Sequence, residues 1–304
     1  MNDTKRISRR TGLKAGLTIL SASALTPNPL LAQKAPGEVR VVVLAGDYWH
    51  NGMMYELHWR SILSTTGWRI LFAQSSQFVT PEALALTDLF IVARYAGGDT
   101  MGWTPDGMVE KRPRGAAWMT SEQEQAIVEN VTQRGMGLIP VHCTLWNPEQ
   151  KQFMKLIGVK EPLMHGHMVM TGFYEMNQDH PISRGVEPFE AVDEIFDAVM
   201  IDDNFIPLFR AKQTPELLTK DMDYTQFTFY PGQKSGRYFP LDRLAGWARE
   251  SGNGRVVMLN FLSHQMVFWK KSVKEIMWRS AHWAMHRDIP ESGLIEGAYG
   301  SDRG

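Results

Sequence analysis

Short apolar runs alternate along the chain with amphipathic stretches, a pattern of strands and helices taken in turn. Residues 39–45 form a continuous β-branched run closed by Gly46-Asp47, and residues 53–64 have helical spacing. Residues 68–74 and 89–93 repeat the strand pattern, with a short helix predicted over 81–86 between them. Runs that are apolar at every position, rather than at alternate ones, suit strands buried on both faces. The sequence therefore predicts an α/β fold, a doubly wound and mostly parallel sheet with helices on both faces. Thr120-Ser-Glu-Gln123 is a capping box, in which the hydroxyl and the side-chain amide exchange bonds with opposite backbone amides. It opens a helix through about Gln133. A glycine pair then ends that helix, and residues 136–141 enter a buried strand that stops at His142-Cys143.

The second half is less regular. A helix is expected over 149–156, closed by Gly158, and residues 164–170 alternate like a strand, a period of two that puts His165 and His167 on one face. Residues 177–181 have turn chemistry, and residues 189–196 carry Asp193-Glu194 into another strand. Residues 207–211 are expected as an edge strand. Residues 244–249 and 255–259 flank Ser251-Gly-Asn-Gly254, a hairpin signal, and residues 272–286 form an amphipathic closing helix. Two stretches lack periodicity: 95–118, expected to be a lid near the site, and 214–240, expected to be an insertion over it.

The chain of 304 residues is 43% hydrophobic, enough to bury a sizeable core, and its net charge of -1 points to neither nucleic acid nor an anionic membrane. Its single cysteine, Cys143, excludes an internal disulfide and any Cys-x-x-Cys motif. The N-terminus reads Ser8-Arg9-Arg10-Thr11-Gly12-Leu13-Lys14, then an apolar run, then Leu30-Leu-Ala32. This order is that of a twin-arginine signal, with an apolar run too short to span a bilayer. The expected organisation is a signal over 1–32, one α/β domain over 33–288 and a tail over 289–304. The mature protein would be periplasmic, without stable membrane insertion.

Of nine histidines, His50, His142, His165, His167 and His264 fall at predicted strand ends or on the same-face pair. Ligands in open α/β sheets bind outside the carboxyl ends of the strands, and imidazole is the commonest metal ligand. Glu194 adds a carboxylate as ligand or base. His58, His282 and His286 lie in predicted helices and suit packing or surface roles, while His180 precedes Pro181 in a turn. A thiolate nucleophile at Cys143 would need small residues two positions away on each side, whereas Val141 and Leu145 stand there; His142 suits the apex of the turn better. Trp49, Trp146 and Tyr224 fall in loops that could border a pocket, where aromatic faces suit the apolar faces of sugar rings.

Taken together, these segments resemble the trehalose-utilisation (ThuA-like) family. The resemblance runs over Ala45-Gly46 with His50, Arg134-Gly-Met-Gly-Leu-Ile-Pro-Val-His142, Asp179-His180-Pro181-Ile182 with Gly185, Asp193-Glu194, Trp247 with Gly252-Asn-Gly-Arg255-Val256, and His264. It departs from the family at Asp47-Tyr48, where another histidine is usual, and at Cys143, where alanine is usual. The resemblance implies the fold of class I glutamine amidotransferases without their cysteine nucleophile. It also implies a metal-dependent isomerase, lyase or hydrolase acting on a sugar, glycoside or keto-sugar. In that reading His142, His264 and one or both of His165 and His167 hold a divalent ion, zinc first, with manganese or iron as options. Glu194, Asp193 or His50 moves a proton, and Trp49, Trp146 and Tyr224 contact the substrate. The expected partner is a small carbohydrate, with self-association left open. A non-catalytic carbohydrate-binding protein and a Cys143-dependent amidase-like hydrolase are the alternatives.

Overall fold

The computed structural model describes residues 28–47, 50–95, 118–147, 149–163, 169–212 and 242–290. Its first half alternates strand and helix: β1 (Arg40–Ala45), α1 (Gly52–Ile62), β2 (Arg69–Ala73), α2 (Pro81–Ala85), β3 (Leu89–Ala93), α3 (Ser121–Glu129), β4 (Gly137–Pro140) and α4 (Lys151–Ile157). There follow β5 (Val159–Leu163), β6 (Val169–Met176), β7 (Phe189–Glu194), β8 (Asp197–Met200), β9 (Ile206–Lys212), β10 (Asp242–Ser251), β11 (Gly254–Leu259) and α5 (Lys271–Ala284). Nine strands form one sheet in the order β2-β1-β3-β4-β11-β10-β9-β6-β7, and β5 and β8 form a small antiparallel pair of their own. The first five strands of that order are mutually parallel, and the remaining pairings are antiparallel.

The apolar runs are continuous because the sheet is covered twice. Val41, Val43, Leu89 and Ile91 face one core with Tyr55 and Trp59 of α1 and Ile276 and Met277 of α5. The intervening Val42, Leu44, Phe90 and Val92 face a second core with Ala83 of α2, Ile127 of α3 and Phe153 of α4. Successive side chains of a strand point to opposite faces, so every position of β1 and β3 must be apolar or sealed. Among the described residues no helix is long and apolar enough to cross a membrane.

The capping box forms as expected, with Gln123 N donating to the Thr120 hydroxyl and Thr120 N donating to the Gln123 side chain. The helix that follows widens into a π-helical turn, Asn130–Arg134, before the strand. One expectation is corrected. Residues 207–211 belong to β9, which is not an edge strand but runs between β10 and β6, because the β6–β7 pair extends the sheet beyond it. Pro207 is tolerated there because it sits next to the strand's start, beside a register shift opposite Gly246 and Trp247, and its carbonyl is satisfied by the Asn177 side chain at 2.7 Å. The sequence pattern did not reveal β5 or β8. Residues 1–27 of the expected signal, residues 96–117 of the lid and the whole insertion lie outside the described residues, while Pro29–Leu31 form a 3-10 turn whose Leu30 packs into the second core.

Candidate functional site

The site begins where β1 ends. Gly46 has φ of +95°, and a Cβ there would lie 3.0 Å from the Cα of Gly52. Only a glycine lets the chain turn back so closely onto the start of α1. The turn presents Asp47, which is buried and collects donors from three segments. Its Oδ1 accepts from the backbone N–H of His50 at 3.0 Å and lies 2.8 Å from His50 Nδ1. Its Oδ2 accepts from Tyr95 N, past the end of β3, at 2.8 Å and from the Cys143 thiol, past β4, at 3.6 Å. A carboxylate on Nδ1 keeps the proton on that nitrogen and leaves Nε2 of His50 as the basic atom.

His142 supplies the second element. It directly follows Val141 at the end of β4 and takes φ of +43°, a left-handed conformation that costs a non-glycine residue about 1–2 kcal/mol. Thr144 holds this elbow, its hydroxyl donating to Val92 O at 2.7 Å and accepting from Arg94 N at 3.1 Å. The strained residue is thus His142 and not Cys143, as the sizes of their neighbours suggested. The His142 ring is fully buried and meets His50 edge to face at 5.2 Å and Phe196 at 4.8 Å. Its Nε2 lies 3.3 Å from Oε2 of Glu194, at the end of β7. Burial drives its pKa down to about 4 although Glu194 pulls the other way, so the ring is neutral near pH 7. If Nε2 carries the hydrogen toward Glu194, Nδ1 is a bare lone pair. Both ring nitrogens are buried and neither makes a full hydrogen bond among the described residues, but Nε2 has the Glu194 oxygen beside it and Nδ1 has no such neighbour.

The acidic pair on β7 divides its work. Glu194 is half-buried and also receives the Ser263 hydroxyl at 3.3 Å. Asp193 is buried and accepts three consecutive backbone N–H groups, from Leu262 at 2.6 Å and from Ser263 and His264 at 3.0 Å. Burial raises its carboxyl to about 7 in spite of these amides. The clamp fixes Leu262 at φ of +79°, and the Tyr55 hydroxyl seals the same residue by donating to its carbonyl at 2.8 Å. Through Asp193 and Ser263, the turn that carries His264 is thereby tied to Glu194.

Three strand ends, those of β1, β4 and β7, therefore bring His50, His142 and Glu194 together, with Asp193 beneath the adjoining turn. His264 is half-buried, with its amide anchored, and Trp146 is half-buried just past the His142 elbow. Trp49, His165, His167 and Tyr224 lie outside the described residues. Sequence reasoning missed Asp47 and Ser263 as members of the cluster. For Asp47 there was a usable signal, since an aspartate three residues before a histidine in a glycine turn can bond both its amide and its ring.

Two sets of donors bear on where a divalent metal could be held. Ligand atoms of Asp47, His50 and Cys143 lie within 4.8 Å of one another. Asp47 is already occupied by N–H donors, and burial first, with Asp47 beside it, pushes the Cys143 thiol well above its ordinary pKa. That trio is a hydrogen-bonded support rather than a cage. The better-matched atom is Nδ1 of His142, a buried lone pair on an imidazole whose other nitrogen faces a carboxylate, the arrangement that orients metal-bound histidines.

A sequence model of the trehalose-utilisation (ThuA) family matches residues 40–284. Among solved structures, a putative ThuA-like protein from Bacteroides uniformis superposes with a TM-score of 0.55 at 13% identity, covering 83% of this chain and 94% of that one. Another from Parabacteroides merdae gives 0.55 at 14% identity, covering 84% and 94%. A cytoplasmic protein of Salmonella typhimurium gives 0.50 at 11% identity, covering 81% and 98%. At such identities the likeness is one of fold. No curated protein matches the sequence.

Proposed function

Because the chain belongs to the trehalose-utilisation (ThuA) family, we propose that it is an exported, metal-assisted enzyme that transforms a sugar, glycoside or keto-sugar at the carboxyl ends of β1, β4 and β7. The observation that carries this reading is the meeting of two oriented imidazoles, His50 and His142, with Glu194 on the second of them. In this assignment His142 and His264 are the protein ligands, and a divalent ion held there, zinc first, supplies Lewis-acid polarisation of a sugar oxygen. Glu194 accepts the Nε2 hydrogen of His142 and so aims Nδ1. His50, with its Nδ1 hydrogen fixed on Asp47, takes or gives a proton at Nε2, on a substrate hydroxyl or on carbon beside a carbonyl. Ser263 keeps the Glu194 carboxylate in register with this pair.

The reading is tested by metal analysis of protein recovered from the periplasm, followed by a turnover screen of glycosides and their keto forms. Stoichiometric metal that drops on His142→Ala, with turnover reduced about 10²–10⁴-fold by His50→Gln, supports it. Metal-free protein that binds a sugar in the presence of chelator, without converting it, would replace it with a carbohydrate-binding role.

A further inference from the structure

A concavity lies at the opposite end of the sheet from His142. A cavity of about 700 Å³ opens between the turn leading into β2 and the end of α5. Its volume is within the range of about 300–1,000 Å³ that holds small organic ligands. Trp68 directly precedes β2, and the end of α5 packs on the start of β4, where a Cβ on Gly137 would lie 2.8 Å from Ala284 O. Because His142 leaves the opposite end of β4, the length of the sheet separates this cavity from the catalytic candidates.

Its wall is a ladder of rings. Trp278 and His282, one turn apart on α5, have centroids 4.1 Å apart, and Trp68 tilts against His282 at 4.7 Å. The Arg287 guanidinium lies 5.7 Å from the Trp68 ring centroid. His282 Nδ1 is 3.0 Å from the Trp278 carbonyl, which places its hydrogen there and leaves Nε2 as an acceptor. Thr66 fixes the approach of Trp68, its hydroxyl accepting from the Trp68 amide at 3.2 Å and donating to Leu63 O at 2.7 Å. Asp288 completes the lining with a carboxylate.

This set of groups discriminates between ligand classes. An anion would meet Asp288, a cation would meet Arg287, and a hydrocarbon would cover both charges without satisfying either. A neutral polyhydroxylated ring satisfies all of them, laying its C–H face on indole and its hydroxyls on guanidinium, carboxylate and imidazole. We propose that this cavity is a second saccharide site, taking one neutral mono- or disaccharide. The proposal stands on the lining residues and is independent of the catalytic reading.

Calorimetric or NMR titration of the full chain with glucose and with trehalose tests it, using Glu194→Gln protein to limit turnover. Millimolar binding is expected, about tenfold weaker in Trp68→Ala and in Arg287→Ala, the loss of one good contact. Arg287→Ala, at an exposed position, remains informative if Trp68→Ala fails to fold. Absence of binding by either sugar, or an isotherm indifferent to both substitutions, overturns the proposal. Failure of the catalytic reading would look different, as binding at Trp68 without turnover of any sugar.

Discussion

His50 and His142 approach edge to face with ring centroids 5.2 Å apart, although they leave different strands of the sheet. Each ring has a carboxylate on one nitrogen: Asp47 on Nδ1 of His50, Glu194 on Nε2 of His142. The opposite choice of nitrogen turns the remaining lone pairs differently, one suited to moving protons and the other to ligation.

Asp47 acts through His50. Asp47→Asn exchanges one of the two oxygens near His50 Nδ1 for an N–H donor and loosens the hold on the ring, and turnover on whichever sugar the screen identifies is expected to fall about 10–100-fold. NMR of the His50 ring should report a mixture of tautomers. Unchanged kinetics would mean that His50 is oriented by something else.

Asp193 holds a backbone turn rather than a proton in transit. Backbone amides point at both oxygens of Asp193, and asparagine sets its NH2 group against at least one of them, so Asp193→Asn is expected to cost about 2–4 kcal/mol of stability. Its folded pKa is raised from 3.8 to about 7, so the stability it contributes is greatest below pH 3.8 and declines as pH rises towards 7. Urea unfolding should therefore show a larger cost of Asp193→Asn at pH 5 than at pH 8.

Three imidazoles oppose acid. Burial pushes His58, His142 and His180 down from 6.5 to about 4, so in that interval the unfolded chain takes up protons that the folded chain refuses. Their contribution is present above pH 6.5 and is lost as pH falls towards 4. His58 stacks on Phe268 at 4.5 Å with Nε2 buried and lacking a partner among the described residues. His58→Phe should keep the stack and make the unfolding midpoint less sensitive to acid; an unaltered pH slope counts against this account.

Cys143 is a buried thiol that donates to Asp47. Cys143→Ala should leave turnover within a few-fold of the parent, and thiol reagents should label the native protein only after denaturant is added. Rapid native labelling together with loss of turnover would restore the nucleophile hypothesis.

Gly252 turns the β10–β11 hairpin at φ of +60°, and a Cβ there would lie 2.3 Å from the backbone oxygen of Thr132. Backbone cannot yield as a flexible side chain would. Gly252→Ala should cost about 1–3 kcal/mol, read as a fall of roughly 2–4 °C in Tm per kcal/mol.

What the sequence made legible follows from where physical constraints are local. Val41 to Leu44 and Leu89 to Val92 are apolar at every position because both faces are covered, and the capping box at Thr120 needs only four residues to declare itself. The elbow at His142 could be inferred from the bulk of Val141 and Leu145 around Cys143. The edge reading of residues 207–211 failed because the β6–β7 pair extends the sheet beyond β9, a pairing that no local pattern in 207–211 announces. The Asp193 clamp was invisible, since its three amides come from a turn remote in sequence. Asp47 had a local signal in His50 three residues on, whereas its other partners, Tyr95 and Cys143, lie in separate segments.

The strand order also bears on how the molecule is made. β11, near the end of the chain, lies in the interior of the sheet between β4 and β10. A ribosome therefore releases the parallel half with the edge of β4 bare, and only the last portion of the polypeptide can close it. Truncation or stalling within the final quarter should leave a sticky seam that invites aggregation rather than a smaller working protein.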